Sequence, residues 1–319
     1  GFGLPYFWAI ANDRDLTFTP KLYANENVLL LNEYRQAFRN GLFTLDSSYT
    51  EGYKEKTSQK TKGSRNHIFA LLELDLGKNK PYESLFTFKT QKTSNDTYFR
   101  AHDINTGLVN STNTNLINEI HYSFTKENSY VDIKAQAFED LRKSSDKYEY
   151  MFPNITYGKN FFLEKFGFLD FKTNIFHRNY EGNKYTTFLN NDLLWNPGSY
   201  ITTKGFLNTI EGMVKNVNYE AKNTPDLKTS GAVNELSSVI SFKSSLPMEK
   251  SKDDFSKTFS PTFMVRYAPG KMKSLRDDDL YLNYSNLYSL NKTSEIESGL
   301  STILGFDYKL NKKESDGSQ

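Results

Sequence analysis

The chain carries a two-residue rhythm of apolar and polar positions. It is cleanest near the end, where Ile296, Ser298, Leu300, Thr302, Leu304, Phe306 and Tyr308 alternate with Glu297, Gly299, Ser301, Gly305, Asp307 and Lys309. That is the period of a strand with one dry and one wet face. The same rhythm runs through Leu16, Phe18 and Leu22 against Asp15, Thr17, Thr19 and Lys21. It recurs in Phe43, Leu45 and Tyr49 against Thr44, Asp46 and Ser48. Ile68, Ala70, Leu72, Leu74 and Leu76 alternate with His67, Glu73 and Asp75. Ile120, Tyr122 and Phe124 oppose Glu119, His121 and Ser123, and the chain then returns through Val131, Ile133, Ala135 and Ala137 against Asp132, Lys134 and Gln136, a hairpin. Phe259, Phe263, Val265 and Tyr267 against Ser260, Thr262 and Arg266 repeat the pattern. No helical period of 3.6 stands out. The pattern predicts roughly fourteen antiparallel strands of about ten residues, the length a tilted membrane strand needs.

Polar stretches separate these runs. Residues 51–65, with Lys54, Lys56, Lys60 and Lys62, read as a surface loop, and residues 94–115, rich in Asn and Thr, as a longer one. The first residues differ. Tyr6, Phe7 and Trp8 form an aromatic cluster suited to a membrane-water boundary, where a ring is apolar in body and can be polar at its tip. Pro20 interrupts the dry side of the next strand. Proline has no N–H to donate to a ladder, so one neighbour of this strand is weakly held or absent.

Composition narrows the environment. No run approaches about 18 consecutive apolar residues, which excludes a helical span. A mean hydropathy of -0.66 leaves a membrane barrel open, because only alternate strand residues meet lipid. The 25 Phe and 21 Tyr exceed what a soluble domain of this polarity needs and suit aromatic girdles. A formal charge of +2, with basic and acidic residues interspersed, argues against a nucleic-acid platform. Cysteine is absent, so neither a disulfide nor a thiolate metal site can form. No signal-peptide pattern opens the sequence, which reads as a mature or truncated chain.

Several of these stretches, in order, resemble the LptD family of outer-membrane proteins, which insert lipopolysaccharide into the outer leaflet. Leu4-Pro5-Tyr6-Phe7-Trp8 is similar to the family's L-P-Y-[FY]-W run, Asp15-Leu16-Thr17-Phe18-Thr19-Pro20 to its D-x-T-x-T-P strand, and Glu33-Tyr34-Arg35 to its x-E-[FY]-R strand. Ser94-Asn95-Asp96-Thr97-Tyr98 looks like its S-[ND]-x-[ST]-Y loop, and Arg266-Tyr267-Ala268-Pro269-Gly270 like its R-[FY]-A-P-G run. Where the family often has a further proline, this chain has Asn12. The resemblance implies an all-β, antiparallel transmembrane β-barrel, present here in part and not closed. Residues 1–310 would be the first part of the barrel and 311–319 a polar tail or truncated loop. It also implies a periplasmic jelly-roll domain upstream that receives lipopolysaccharide from an LptA-like bridge, later strands downstream, and an LptE-like plug lipoprotein in the lumen.

On that reading Pro5 and Pro20 match the family's lateral-gate prolines, at the seam between first and last barrel strands. Asp15, Thr17, Glu33, Arg35, Glu73, Asp75, Asp132, Lys134 and Arg266 are candidates for inward contacts with saccharide or plug, and Tyr6, Phe7 and Trp8 for the interface. Catalytic patterns are missing. His67, His102, His121 and His177 lack metal-ligand spacing, Asp277-Asp278-Asp279 lacks that of an EF-hand, and no nucleophile elbow, Walker loop or dinucleotide fingerprint occurs. The expectation is a non-enzymatic transporter in the Gram-negative outer membrane that uses no cofactor. A passive porin or uptake barrel is the alternative, requiring an inward-folded constriction loop or a plug. A soluble all-β binding protein is the third reading.

Overall fold

The computed structural model describes residues 1–54, 62–224, 231–252, 255–272, 287–290 and 296–312. Asp277-Asp278-Asp279, most of the basic stretch at 55–61, most of the extended segment expected at 281–290 and the tail from 313 lie outside them. Strands dominate and pair antiparallel. The chain divides into two compact units, Gly1–Tyr157 with Ile175–Thr186, and Gly158–Asn174 with Thr187–Gln319. In neither does the sheet close on itself.

The first unit is a meander. It runs β1 (Phe2–Gly3), β2 (Tyr6–Ala11), β3 (Arg14–Leu22), β4 (Leu29–Phe38), β5 (Gly41–Gly52), β6 (Lys62–Asp75) and β7 (Glu83–Thr93). A five-residue helix, α1 (Tyr98–His102), follows, then β8 (Asn115–Lys126) and β9 (Ser129–Asp140). Short turns join strands at one end, as at Asn12-Asp13, Arg39-Asn40 and Glu127-Asn128, and longer connections at the other. That asymmetry is common in membrane barrels. The chain continues through β10 (Tyr148–Leu163), β11 (Gly167–Tyr180) and β12 (Lys184–Asn196), each divided between the units. The second unit holds β13 (Ser199–Ile201), β14 (Leu207–Lys222), β15 (Val233–Ser245), β16 (Met248–Ser251), β17 (Phe255–Ala268) and β18 (Gly299–Lys312). Eighteen strands are thus described against roughly fourteen expected, because β1, β13 and β16 are stubs of two to four residues. The last strand also runs past the boundary drawn at 310: Asn311 and Lys312 pair with Ser256 and Phe255. A ladder needs only backbone, so polar residues extended it where alternation had faded.

Register turns the alternation into faces. Opposed residues share a face, and Asp15, Arg35, Thr44, Leu71, Lys89, Glu119 and Gln136 form one cross-strand row. Thr17, Glu33, Asp46, Phe69 and Gln91 form the next row on the same side. The opposite face carries Phe43, Leu72, Phe88, Ile120 and Ala135 in one row and Trp8, Leu16, Tyr34, Leu45 and Ala70 in another. In the second unit, Glu211, Ser241, Arg266 and Ser301 line one face, and Gly212, Ile240, Tyr267 and Leu300 the other.

The apolar faces are the uncovered ones. Ile68, Ile120, Ile240, Tyr267, Leu300 and Leu304 are all exposed. Leaving one such side chain in water costs about 1.5–3 kcal/mol relative to burial. Exposed apolar faces of this extent are uncommon on monomeric soluble domains.

Candidate functional site

The first strand is attached in a way that follows from its two prolines. β1 pairs with β3 through Phe2 with Leu22 and Gly3 with Lys21. β2 pairs with β3 from Tyr6 opposite Phe18 to Ala11 opposite Arg14, with a shift between Ala9 and Ala11. Between β1 and β2, Leu4 N–H donates to the Pro20 carbonyl at 3.1 Å. A hydrogen-bonded antiparallel pair normally exchanges two bonds, and the second, from the residue-20 amide to the Leu4 carbonyl, cannot form with proline. Pro20 therefore weakens the junction of the first strand with β3. Pro5 comes one residue later, where the amide would face away from β3. It removes a donor from the outer edge of the first strand.

The aromatic cluster is split by the pleat. Tyr6 and Trp8 lie opposite Phe18 and Leu16 on the apolar face, while Phe7 lies opposite Thr17 on the polar one. All three are exposed.

Eight of the nine inward candidates share the polar face of the first unit, and several are joined there. Arg35 Nε donates to Asp15 Oδ1 at 3.0 Å and lies 3.8 Å from Glu33. Thr17 is opposite Glu33. His121 Nε2 is 2.6 Å from Asp132, which also takes Lys134 at 3.1 Å. Glu73 faces Thr87 and is exposed. Asp75 sits at the strand end and accepts from Gly77 N–H at 3.0 Å, so it shapes a turn. Arg266 belongs to the second unit and is 2% exposed, its Nε donating to the Leu290 carbonyl at 2.6 Å. It is packed beneath chain, not presented to an open interior.

The main feature the alternation did not reveal is what covers the long-loop end of this polar face. Residues 94–114 fold onto it. Tyr98, Phe99, Ile104 and Val109 from that segment form a buried cluster with Leu29, Phe69, Leu116 and Leu141. The rings of Phe69 and Phe99 meet edge to face at 5.4 Å. Where the segment leaves the sheet, the β7–β8 ladder ends at Lys89 opposite Glu119. Side chains then substitute for backbone partners: Asn118 Oδ1 accepts from Gln91 N–H at 2.9 Å, and Gln91 Oε1 from Ile117 N–H at 2.8 Å.

A chain of buried polar groups runs beneath the cluster. His67 Nε2 is hydrogen-bonded to Asp46 Oδ1 at 2.9 Å, and its Nδ1 to Ser48 Oγ at 2.5 Å. Ser48 Oγ is 2.8 Å from Tyr98 OH. Thr106 Oγ1 donates to Asp46 Oδ2 and accepts from Val109 N–H at 3.1 Å. Burial pushes the Tyr98 phenol up to about 12, so it stays a donor. Ser, His and Asp in sequence resemble a nucleophilic relay, but Ser48 is 3% exposed and its hydroxyl is closed off by Tyr98. The arrangement binds the segment to the sheet.

His102 ends α1. Its imidazole is buried, stacks on Tyr53 at 6.0 Å, and leaves Nε2 without a hydrogen-bond partner among the described residues. Burial, with Arg65 and Lys21 nearby, holds its pKa below the ordinary histidine value. The signal that could have exposed this site was polar residues at alternate positions, Asp46, Ser48 and Thr50 in one strand and Arg65 and His67 in the next, facing an aromatic pair in an otherwise polar loop. Among the described residues no cluster of His, Cys, Asp or Glu could hold a metal ion. No protein-family model and no curated protein matches the sequence.

Proposed function

We propose that this chain is part of the wall of an outer-membrane β-barrel that delivers lipopolysaccharide to the outer leaflet through a lateral seam. The observation that carries the reading is the pairing of a continuous exposed apolar face with a charged, hydrogen-bonded opposite face, next to a first strand short of bonds at Pro20. An amphiphile with an anionic saccharide and several acyl chains needs both environments at once. Sugars pass along the polar face while acyl chains slide through the seam into lipid. Each missing ladder bond is worth about 1 kcal/mol net in water and more in lipid, so the first strand, loosened beside Pro20, is the side of the seam with the last strand that moves at least cost. The sequence resemblance to LptD supports the same assignment, with an LptE-like plug and an LptA-like bridge as partners and no nucleic acid, cofactor or catalysis involved.

Substitution Pro20→Ala in the complete parent protein tests it. Tightening the first strand should reduce lipopolysaccharide at the cell surface and increase sensitivity to large antibiotics. Unchanged levels and unchanged antibiotic exclusion would remove the gate role.

A second reading, a passive porin, is favoured by one observation: residues 94–114 fold onto the polar face as a constriction loop would. Single-channel conductance of the complete protein in planar bilayers separates the two. Steady ion current without a partner lipoprotein supports the porin; a silent bilayer supports the seam.

A further inference from the structure

Residues 94–114 reach six of the nine strands β1–β9 or the residues just beyond them. At β3, Lys21 Nζ donates to the carbonyls of His102 and Asp103 at 3.0 and 3.1 Å, and just beyond it Tyr23 OH donates to His102 O at 3.3 Å. At β4, Leu29 is buried in the cluster, and Gly107 lies so close to Glu33 that a Cβ there would stand 3.1 Å from its carboxylate. At β5, Asp46 and Ser48 hold Thr106 and Tyr98. At β6, His67 and Phe69 pack on Phe99 at 5.5 and 5.4 Å, and Asn66 exchanges two bonds with Ser94, at 2.9 and 3.0 Å. At β8, Leu116 joins the cluster. At β9, Leu141 N–H donates to Thr114 O at 2.8 Å, and Lys147 bridges Asp96 and Glu139 at 3.1 and 2.8 Å. Among the described residues, none of the hydrogen bonds, ion pairs or ring contacts of 94–114 reaches residues 2–11.

We propose that residues 94–114 are a fixed brace that locks β3 to β9 into one rigid wall, so that strand parting in this unit is confined to the junction of β1 and β2 with β3. The inference rests on the seam reading for its purpose, but not for its physics. A segment meant to swing is held by few contacts and exposed hydrogen bonds. This one is held by a dry aromatic cluster and a polar chain with every member satisfied, and opening it would strand Asp46, His67 and Ser48 together. Its limit falls at β3, the strand whose next junction Pro20 has weakened. Tyr98, Thr106 and Lys21 are accordingly positioning residues: they hold the fixed side of the seam without touching what passes.

Hydrogen exchange of the full chain in lipid nanodiscs without lipopolysaccharide tests this. In the wild type, amides of 98–109 should exchange on the order of a hundredfold more slowly than those of exposed 144–146, and 2–11 should be the fastest strand of the unit. Tyr98→Phe removes one hydroxyl and keeps the ring. It should speed exchange together in 29–31, 46–48, 65–69 and 98–109 by about tenfold, and leave 2–11 unchanged. The brace is overturned if 98–109 exchanges as fast as 144–146 in the wild type. It is also overturned if Tyr98→Phe loosens the segment alone, or if 2–11 changes with it. Should Tyr98→Phe fail to fold, Lys21→Met, which releases only the β3 tether, carries the test: exchange must rise in 14–22 and stay unchanged in 2–11. No lipopolysaccharide is present, so a failure of the transport reading would leave this result untouched.

Discussion

In residues 2–11, Phe2, Tyr6, Phe7 and Trp8 are more than half exposed, while beneath residues 94–114 Phe69, Tyr98 and Phe99 are 1% exposed or less. Both regions are aromatic, and both belong to one antiparallel meander. Their attachment differs. The first strand has two broken ladders, a register shift and a proline opposite. β5 and β6 run in register from Gly41 opposite Leu74 to Thr50 opposite Arg65, with a third layer packed on top. The contrast teaches that in a sheet open to solvent or lipid on both sides, ladder bonds alone leave a strand loose. Rigidity comes from whatever buries one face.

The largest expected difference between the two regions is in side-chain truncation. Phe99→Ala opens a cavity in the buried cluster and should cost about 3–5 kcal/mol. Phe7→Ala, at an exposed position, should stay within about 0.5 kcal/mol. Denaturant unfolding of the chain in detergent micelles measures both. Equal losses would mean that the segment is not the buried layer it is taken for.

Next comes the polar chain. Tyr98→Phe removes the group that closes off Ser48 and should cost about 1–2 kcal/mol. Since the phenol stays protonated across the accessible range, this loss should not change between pH 6 and 9. A loss that varied with pH would place another group in control.

Pro20→Ala acts on the other side of the comparison. It restores the amide that can answer the Leu4 carbonyl, worth about 1 kcal/mol and roughly a fivefold slowing of exchange around residues 3–6. Alanine also returns freedom to the unfolded chain, which offsets part of the gain. If exchange there does not slow, the first strand is loose for some reason other than the missing bond.

Much of this fold was legible in the residues. Alternation placed β3, β5, β6, β8, β9 and β17, because a half-covered strand must repeat every second residue whatever it packs against. It also put Asp15, Glu33, Arg35, Asp132 and Lys134 on one face. The covering segment was not legible. Tyr98, Phe99, Ile104 and Val109 lie at irregular spacing among Asn and Thr, and a five-residue helix is too short to show a 3.6 period. His67 read as an isolated histidine because its partners, Asp46, Ser48 and Tyr98, are brought to it by strand register and by a fold-back whose local trace is no more than an aromatic pair in a polar loop. Arg266 has the same explanation, since the chain that buries it comes from the connection after β17.

The smallest expected effect is a dependence on pH at His102, where the brace meets β3. The imidazole is surrounded by Arg65 from β6, Lys21 from β3, Tyr23 and Glu26 from the β3–β4 connection, Tyr53 after β5, and Tyr98 from α1. Burial and the two cations disfavour a charged ring; Glu26 opposes them weakly. The folded pKa is therefore depressed below the unfolded value of about 6.5, and the unfolded chain binds the proton more readily. Stability from this group is complete above about pH 6.5 and declines as pH falls through that value toward the folded pKa, by at most about 1.4 kcal/mol per unit. The local opening of 98–109, read by hydrogen exchange after correction for intrinsic rates, should be more frequent at pH 5.5 than at 7.5. His102→Gln cannot be protonated in this range and should flatten the dependence while leaving residues 2–11 as fast as before. A slope that survives in His102→Gln would assign the proton to a different site.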